Sequence, residues 1–271
     1  MKPYAFKLKP YISEIIWGGT RLIEDYGMQT DKKNAAEAWV LSAHPSGESR
    51  VIGGSLDGKL LSEAVGEYPQ LCGSNAENFA SFPILIKFID ARDNLSVQVH
   101  PTSEYCAKTG KGESKTECWY ILDCDSDAHL ILGFKEKITS EQFKAAVESG
   151  TLTDYIAKVP VKKGDFFFIE AGTLHAICKG ILLAEVQQSS DTTYRVFDYN
   201  RLGFDGKPRD LHISQAVAVT KCEPYAKDNY RKGDSLYNNA KRQLTDCGLF
   251  KVWETCVIGQ FTVNAGFPNL E

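Results

Sequence analysis

Apolar residues alternate with polar ones in short runs along most of the chain, and recur every third or fourth position in only a few places. Period two marks a strand with one face buried, and a period near 3.6 marks an amphipathic helix. Residues 82–90, 95–100, 117–122, 166–169, 181–188 and 192–199 therefore read as strands, rich in β-branched and aromatic side chains and separated by Gly, Asp and Asn. Three stretches read as helices: 60–71, 139–159 and 211–220. The second opens with Thr139 and Gln142 at capping-box spacing and carries Phe143, Ala146 and Val147 as an apolar stripe.

Many short strands with few helices predict a mainly β sandwich or barrel, because antiparallel sheets must stack or close to hide their apolar faces. One boundary shows in the pattern. Residues 222–241 turn polar, with Lys227, Asp228, Asn229, Arg231, Lys232 and Asp234, and strand patterns resume at 249–257 and 261–264. This divides the chain into a main domain over 1–221, a polar linker over 222–241 and a short C-terminal β segment over 242–271. The last is too small to bury a core of its own, so it is expected to pack on the main domain or to be an incomplete, truncated unit.

Composition narrows the function classes. With 271 residues and 43% hydrophobic content, one large core is available. The 31 basic and 35 acidic side chains give a net charge of −4 with no long run of one sign, which argues against a nucleic-acid partner. No apolar run approaches the roughly 20 residues that cross a bilayer, and residues 1–10 lack a signal-peptide core, so a cytoplasmic protein with no membrane partner is expected. The eight cysteines form no Cys-x-x-Cys pair and suit buried, reduced thiols.

Three segments carry candidate chemistry. Ser96, Gln98 and His100 share one face of a strand, with Val97 and Val99 on the other. Lys115 and Glu117 share a face of a strand over 114–119. Gly172 permits a tight turn after the aromatic run Phe166-Phe167-Phe168, and His175 begins the returning strand. Each alone has a plain alternative, as a solvated face, a surface ion pair or a core histidine. Brought together in a barrel, two imidazoles, a carboxylate and an amide oxygen make an N/O donor set for zinc with a position left open. A structural zinc would draw on the cysteines, so this set points to catalysis.

The stretch from Gly164 through Glu170 and Gly172 to His175 resembles the second cupin motif. The joint pattern resembles type I mannose-6-phosphate isomerases of the cupin superfamily. It is carried by Trp17-Gly18-Gly19, Glu37-Ala38-Trp39, Ser42-Ala43-His44-Pro45, Gln98-Val99-His100-Pro101, Lys115-Thr116-Glu117-Cys118-Trp119-Tyr120, Ala171-Gly172-Thr173-Leu174-His175-Ala176 and Ser190-Asp191-Thr192-Thr193-Tyr194-Arg195. Seven weak matches in order make a specific one. The resemblance implies a jelly-roll β-barrel with a few inserted helices. It also implies one Zn2+ per chain on Gln98, His100, Glu117 and His175, catalytic roles for Lys115, Glu185, Asp191 and Arg195, and Ser96, Lys115 and Arg195 at the substrate. The implied reaction interconverts mannose 6-phosphate and fructose 6-phosphate, with a small sugar phosphate as partner and a monomer or weak dimer as the working form. Two departures stand out: Glu170 occupies a position where the family usually has proline, and relatives carry a fuller C-terminal β domain beyond the point where this chain stops. The residues carried over all precede Arg201.

The residues themselves support part of this. Glu185 and Gln187 share a face of the 181–188 strand, and Arg195 shares one with Thr193 and Phe197. Glu185 is the first candidate for a proton-shuttling base, since burial raises a carboxyl pKa, and Asp191 is the reserve. Arg195 and Lys115 divide the phosphate and the developing oxyanion between them in an order the sequence leaves open; a surface ion pair of Arg195 with Asp191 is the plain alternative. Two other functions use the same residue types, an iron-dependent cupin oxygenase and a non-catalytic sugar-phosphate sensor. Gln98 and the basic pair weigh against the first, and the joint presence of metal set and base against the second.

Overall fold

A computed structural model describes residues 5–73, 79, 81–237 and 240–259. Two antiparallel sheets dominate it. The larger has seven strands, in spatial order Tyr230–Arg231, Phe166–Ile169, Glu117–Cys124, Ile181–Gln188, Ile84–Ala91, Glu37–Leu41 and Tyr11–Ser13. The smaller has five: Ile156–Pro160, His129–Phe134, His175–Ile177, Val97–Val99 and Tyr194–Phe197. The jelly-roll arrangement expected of the chain is the one it adopts.

Alternation along each strand decides what faces where. Ile89, Trp119, Ile121, Phe167, Ile169, Ile181 and Leu183 of the larger sheet pack against Leu130, Leu132 and Ile177 of the smaller, filling the space between them. The smaller sheet turns Val97, Val99, Ile131, Ala176, Tyr194 and Val196 outward. There the helices Ser140–Glu148 and Ile213–Val219 cover them with Phe143, Ala216 and Val219. Since 97 and 99 face out, 96, 98 and 100 face in. This parity aims the candidate ligands at the barrel interior.

The outer face of the larger sheet is covered by the hairpin Lys241–Asp246/Lys251–Thr255, whose Leu244 is buried against Cys118 and Phe166. Tyr120 donates its hydroxyl to Glu254 Oε1 at 2.8 Å across the same contact. The C-terminal segment thus packs on the main sheet. The polar stretch before it also runs along that sheet: Tyr230–Arg231 pairs with Phe166 and Phe167, Tyr225 donates to the Phe168 carbonyl, and the Gly233 N–H reaches Asp165 Oδ1.

Strands over 166–169 and 181–188 lie where the pattern puts them. The pattern over 139–159 is not one helix. Its capping box forms as expected, with Gln142 N–H on Thr139 Oγ1 and Thr139 N–H on Gln142 Oε1, but the helix stops at Glu148. Gly150 then takes φ +73°, and Ile156–Pro160 pairs with His129–Phe134 as an edge strand. Short helices at Arg21–Glu24 and Ser103–Thr109 carry too few periodic positions to be read in advance. The expected strand at 261–264 lies outside the described residues. Among the described residues no helix is long and apolar enough to cross a membrane.

Candidate active site

At one end of the barrel the inward positions change from apolar to charged. The larger sheet supplies Glu37, Lys87, Glu117 and Glu185, and the smaller supplies Gln98, His175 and Arg195, with His100 directly after Val99. A cavity of about 170 Å³ opens onto them, lined among others by Ser96, Gln98, Lys115, Glu185, Asp191 and Arg195. A larger cleft of about 730 Å³ lies under the C-terminal hairpin, beside Phe166, Phe168 and Leu244, and none of the expected site residues lines it.

The turn before His175 sets the spacing of the two imidazoles. Gly172 sits at φ +89°, and a Cβ there would meet the Val219 carbonyl oxygen at 2.9 Å, so glycine is required on two counts. Its N–H donates to the His100 carbonyl at 2.9 Å, which ties the turn to the end of the neighbouring strand. Glu170, the departure from the family's proline, faces the surface and pairs with Lys221 at 2.7 Å. The turn closes without it being proline.

His100, Glu117 and His175 are each about 1% exposed and present donor atoms that all lie within 4.8 Å of one another. His100 Nε2 stands 3.3 Å from Glu117 Oε2, and His175 Nε2 3.5 Å from Glu117 Oε1. The backbone fixes both tautomers. His100 Nδ1 is 2.8 Å from the Thr192 carbonyl and His175 Nδ1 2.8 Å from the Thr173 carbonyl, so each Nδ1 carries the proton and each Nε2 keeps a lone pair turned inward. Burial, with Lys115 close by, holds the His100 pKa well below the usual imidazole range, and burial lowers His175 as well. Both rings are neutral at pH 7.

His100 Nε2 and Glu117 Oε2 are fully buried and lack an aligned hydrogen-bond partner. Glu117 Oε2 still has the Lys115 ammonium at 2.9 Å, but His100 Nε2 has no donor, and leaving that atom unsatisfied costs about 1–3 kcal/mol, which a cation coordinated there would remove. Two neutral Nε2 atoms with backbone-bound Nδ1–H groups, plus a carboxylate, are a fitting donor set for a divalent metal. Gln98 pairs in register with His175, its Nε2 3.4 Å from His175 Nε2 and its Oε1 3.2 Å from Ser96 Oγ. A half-turn of the amide about its last torsion would bring the oxygen to the cluster.

Lys115 departs from expectation in one respect. The strand begins at Glu117, so Lys115 arrives from the preceding loop, with its N–H on the Pro101 carbonyl, rather than from a strand face. Its ammonium still lies 2.9 Å from Glu117 Oε2 and 3.6 Å from Glu185 Oε1. Burial opposes that charge, but the two carboxylates outweigh it and raise the Lys115 pKa. For Glu117 burial also works against the ion, yet Lys115 holds its pKa below the usual carboxylate range. Glu185 goes the other way: burial, then the neighbouring Glu117 charge, raises its pKa.

Arg195 and Asp191 do not pair with each other. Arg195 Nη1 donates to the Asp210 carbonyl at 2.8 Å and its buried Nε has no partner; Asp191 accepts from Ser46 Oγ at 2.5 Å. Burial and the neighbouring Arg209 lower the Arg195 pKa, which leaves a guanidinium still charged at neutral pH. Arg209 was not singled out in the sequence, yet it lines the cavity, with Nε and Nη2 on the Asp198 carboxylate at 2.8 and 2.6 Å. Lys87 was also missed. It is buried, 3.3 Å from Glu37 Oε2, 4.0 Å from Glu185 Oε2 and 4.6 Å from the Trp39 ring centre. A lysine in the middle of Ile84–Ala91 was the signal available.

Comparison with known proteins places this geometry. A family model described as phosphomannose isomerase type I, catalytic domain, matches residues 5–120. The chain is 38% identical to mannose-6-phosphate isomerase ManA of Bacillus subtilis over 97% of its own length and 82% of that protein's. It is 42% identical to the mannose-6-phosphate isomerase of Streptococcus mutans over 78% of its own length and 66% of that protein's. The crystal structure of the mannose 6-phosphate isomerase from Bacillus subtilis superposes with a TM-score of 0.82 at 33% identity, covering 92% of this chain and 79% of that one. The chain belongs to the type I phosphomannose isomerase family.

Proposed function

We propose that the chain interconverts mannose 6-phosphate and fructose 6-phosphate at the charged end of the barrel, with one Zn2+ held by Gln98, His100, Glu117 and His175. The observation that carries this reading is the pair of inward Nε2 lone pairs set by the Thr192 and Thr173 carbonyls around the buried Glu117 carboxylate. Such a set of neutral imidazoles, one carboxylate and one amide suits zinc with a position left open. When bound, the ion supplies a Lewis acid that polarises a sugar oxygen.

The rest is the work of this chain's side chains. Isomerisation removes the proton from C2, passes through an enediolate and returns a proton to C1, while the hydroxyl proton moves between O2 and O1. Glu185, whose pKa is raised by burial and by the neighbouring Glu117 charge, fits the base. Lys115, anchored 2.9 Å from Glu117, offers an ammonium to the developing oxyanion beside it. The two basic residues differ in their surroundings. Lys115 is buried between two carboxylates that already balance its charge, whereas Arg195 has an unpaired Nε and Arg209 as a cationic neighbour on the cavity wall. We assign the phosphate dianion to Arg195, whose fork is only partly engaged, with Arg209, held bidentately by Asp198, adding positive charge beside it. Asp191 and Ser96 reach the sugar hydroxyls from the cavity wall.

Metal analysis and a coupled assay test this together. One equivalent of zinc per chain and turnover of mannose 6-phosphate are expected, with activity lost on chelation and restored by zinc. Protein loaded with zinc but inert towards mannose 6-phosphate would overturn the proposal.

A further inference from the structure

Backbone contacts give His44 the tautomer opposite to that of His100 and His175. His100 and His175 donate from Nδ1 to carbonyls. His44 instead accepts the Ser46 backbone N–H on Nδ1 at 3.2 Å, so its proton sits on Nε2. Nε2 lies 3.5 Å from Glu113 Oε2 and 3.9 Å from Asp191 Oδ1. His44, Glu113 and Asp191 could pass for a second metal cluster on distance alone. The tautomer argues otherwise, because a ligating histidine donates its other ring N–H, and here that nitrogen is an acceptor. His44 is a hydrogen-bond donor aimed at two carboxylates.

The loop that carries it is rigid. Ser42 Oγ accepts the His44 N–H at 3.1 Å and donates to the Gly47 carbonyl at 2.6 Å, while Ser49 Oγ accepts the Ser42 N–H at 3.0 Å and donates to the Trp39 carbonyl at 2.9 Å. The His44 ring is buried edge-on to Trp39, at 6.0 Å between centres. From this loop Ser46 Oγ also donates to Asp191 Oδ2 at 2.5 Å. Ser46 Oγ and His44 Nε2, on one hydrogen-bonded loop, therefore face the two oxygens of a carboxylate that lines the cavity, at 2.5 and 3.9 Å.

We infer that His44 and Ser46 are positioning residues that orient the Asp191 carboxylate towards the substrate; this rests on the isomerase reading above. Neither touches the reacting atoms. The rival is that His44 serves Glu113 and the packing of Trp39 alone.

The test is a kinetic cycle on zinc-loaded protein with mannose 6-phosphate. Asp191→Asn is expected to lower kcat at least about tenfold, and His44→Leu about fivefold with little change in KM and unchanged zinc content. His44→Gln, whose amide keeps one acceptor and one donor, should recover to within about twofold of the parent. In the Asp191→Asn background, His44→Leu should add less than about twofold, because the group it acts through is gone. Should His44→Leu fail to fold, Ser46→Ala at the surface carries the same cycle, with a loss of about threefold that disappears in the Asp191→Asn background. Multiplicative losses in the double variants, or His44→Gln as damaged as His44→Leu, overturn the inference. Full activity in Asp191→Asn overturns it too while leaving the isomerase reading intact, whereas an inert zinc-loaded parent would remove the reading itself.

Discussion

At the scale of single residues, charge in this site is allotted by neighbours rather than by residue type. Glu117 and Glu185 face the same cavity, yet Lys115 keeps the first ionised while burial pushes the second towards its neutral form. The two arginines divide similarly, Arg209 gripping Asp198 and Arg195 leaving Nε unpaired. A bidentate fork on a phosphate is not reproduced by one ammonium, so Arg195→Lys should lower kcat/KM at least tenfold, about 1.4 kcal/mol, with zinc content unchanged. Arg209→Ala should raise KM more than it lowers kcat, since phosphate binding is shared by ground and transition states. Steady-state kinetics of the two variants decide it; wild-type constants in both would remove the phosphate from this wall. The candidate ligands Gln98 and His100 were legible because they sit in an alternating run. Arg209 was not, because its loop holds Gly203, Asp205, Gly206 and Pro208 and has no period to read.

At the scale of elements, the same hydrophobic patterns that exposed the strands concealed what ends them. Ile156 and Val159 fall off the helical stripe of Phe143, Ala146 and Val147; Gly150 and a 3₁₀ turn at Leu152–Asp154 intervene and the later residues join a sheet. Pairing partners far along the chain decide that, and local periodicity does not contain them. The C-terminal hairpin shows the converse. Its strand pattern was readable and so was the need for a host, whereas the host surface, Cys118 and Phe166 on the outer face of the larger sheet, appears only once the fold is assembled. Leu244 is the buried contact, 4% exposed. Leu244→Ala should cost about 2–4 kcal/mol of stability and speed amide exchange in the hairpin, while kcat stays within about twofold because the contact lies on the face opposite the site. Thermal unfolding, hydrogen exchange and the coupled assay check it. Lost activity with an intact hairpin would mean that the outer face feeds into the cavity.

At the scale of the whole molecule, the site is where two sheets meet, and its charges are distributed so that neither sheet is balanced alone. The larger contributes Glu37, Lys87, Glu117 and Glu185, and the smaller contributes the cationic Arg195 beside the neutral donors His175, Gln98 and the adjoining His100. A cation bound between Glu117 and the two imidazoles would join the sheets at that end, while the apolar core of Trp119, Ile121, Leu130 and Leu132 joins them at the other. Metal should therefore add to stability without being needed for folding, unlike a structural zinc in a small domain. A ligand that binds the folded form alone stabilises it by RT ln(1 + [L]/Kd), about 2.7 kcal/mol at a hundred times Kd. Stripping the protein with a chelator should lower Tm by several degrees and leave its far-UV spectrum unchanged, and zinc should restore Tm where magnesium, which favours an all-oxygen shell, does not. His100→Ala should abolish turnover, keep the fold and lose the dependence of Tm on zinc, because one of the two imidazoles is gone. A parent whose Tm ignores zinc would remove the cation from between the sheets, and a His100→Ala variant whose Tm still rises with zinc would move it elsewhere in the molecule.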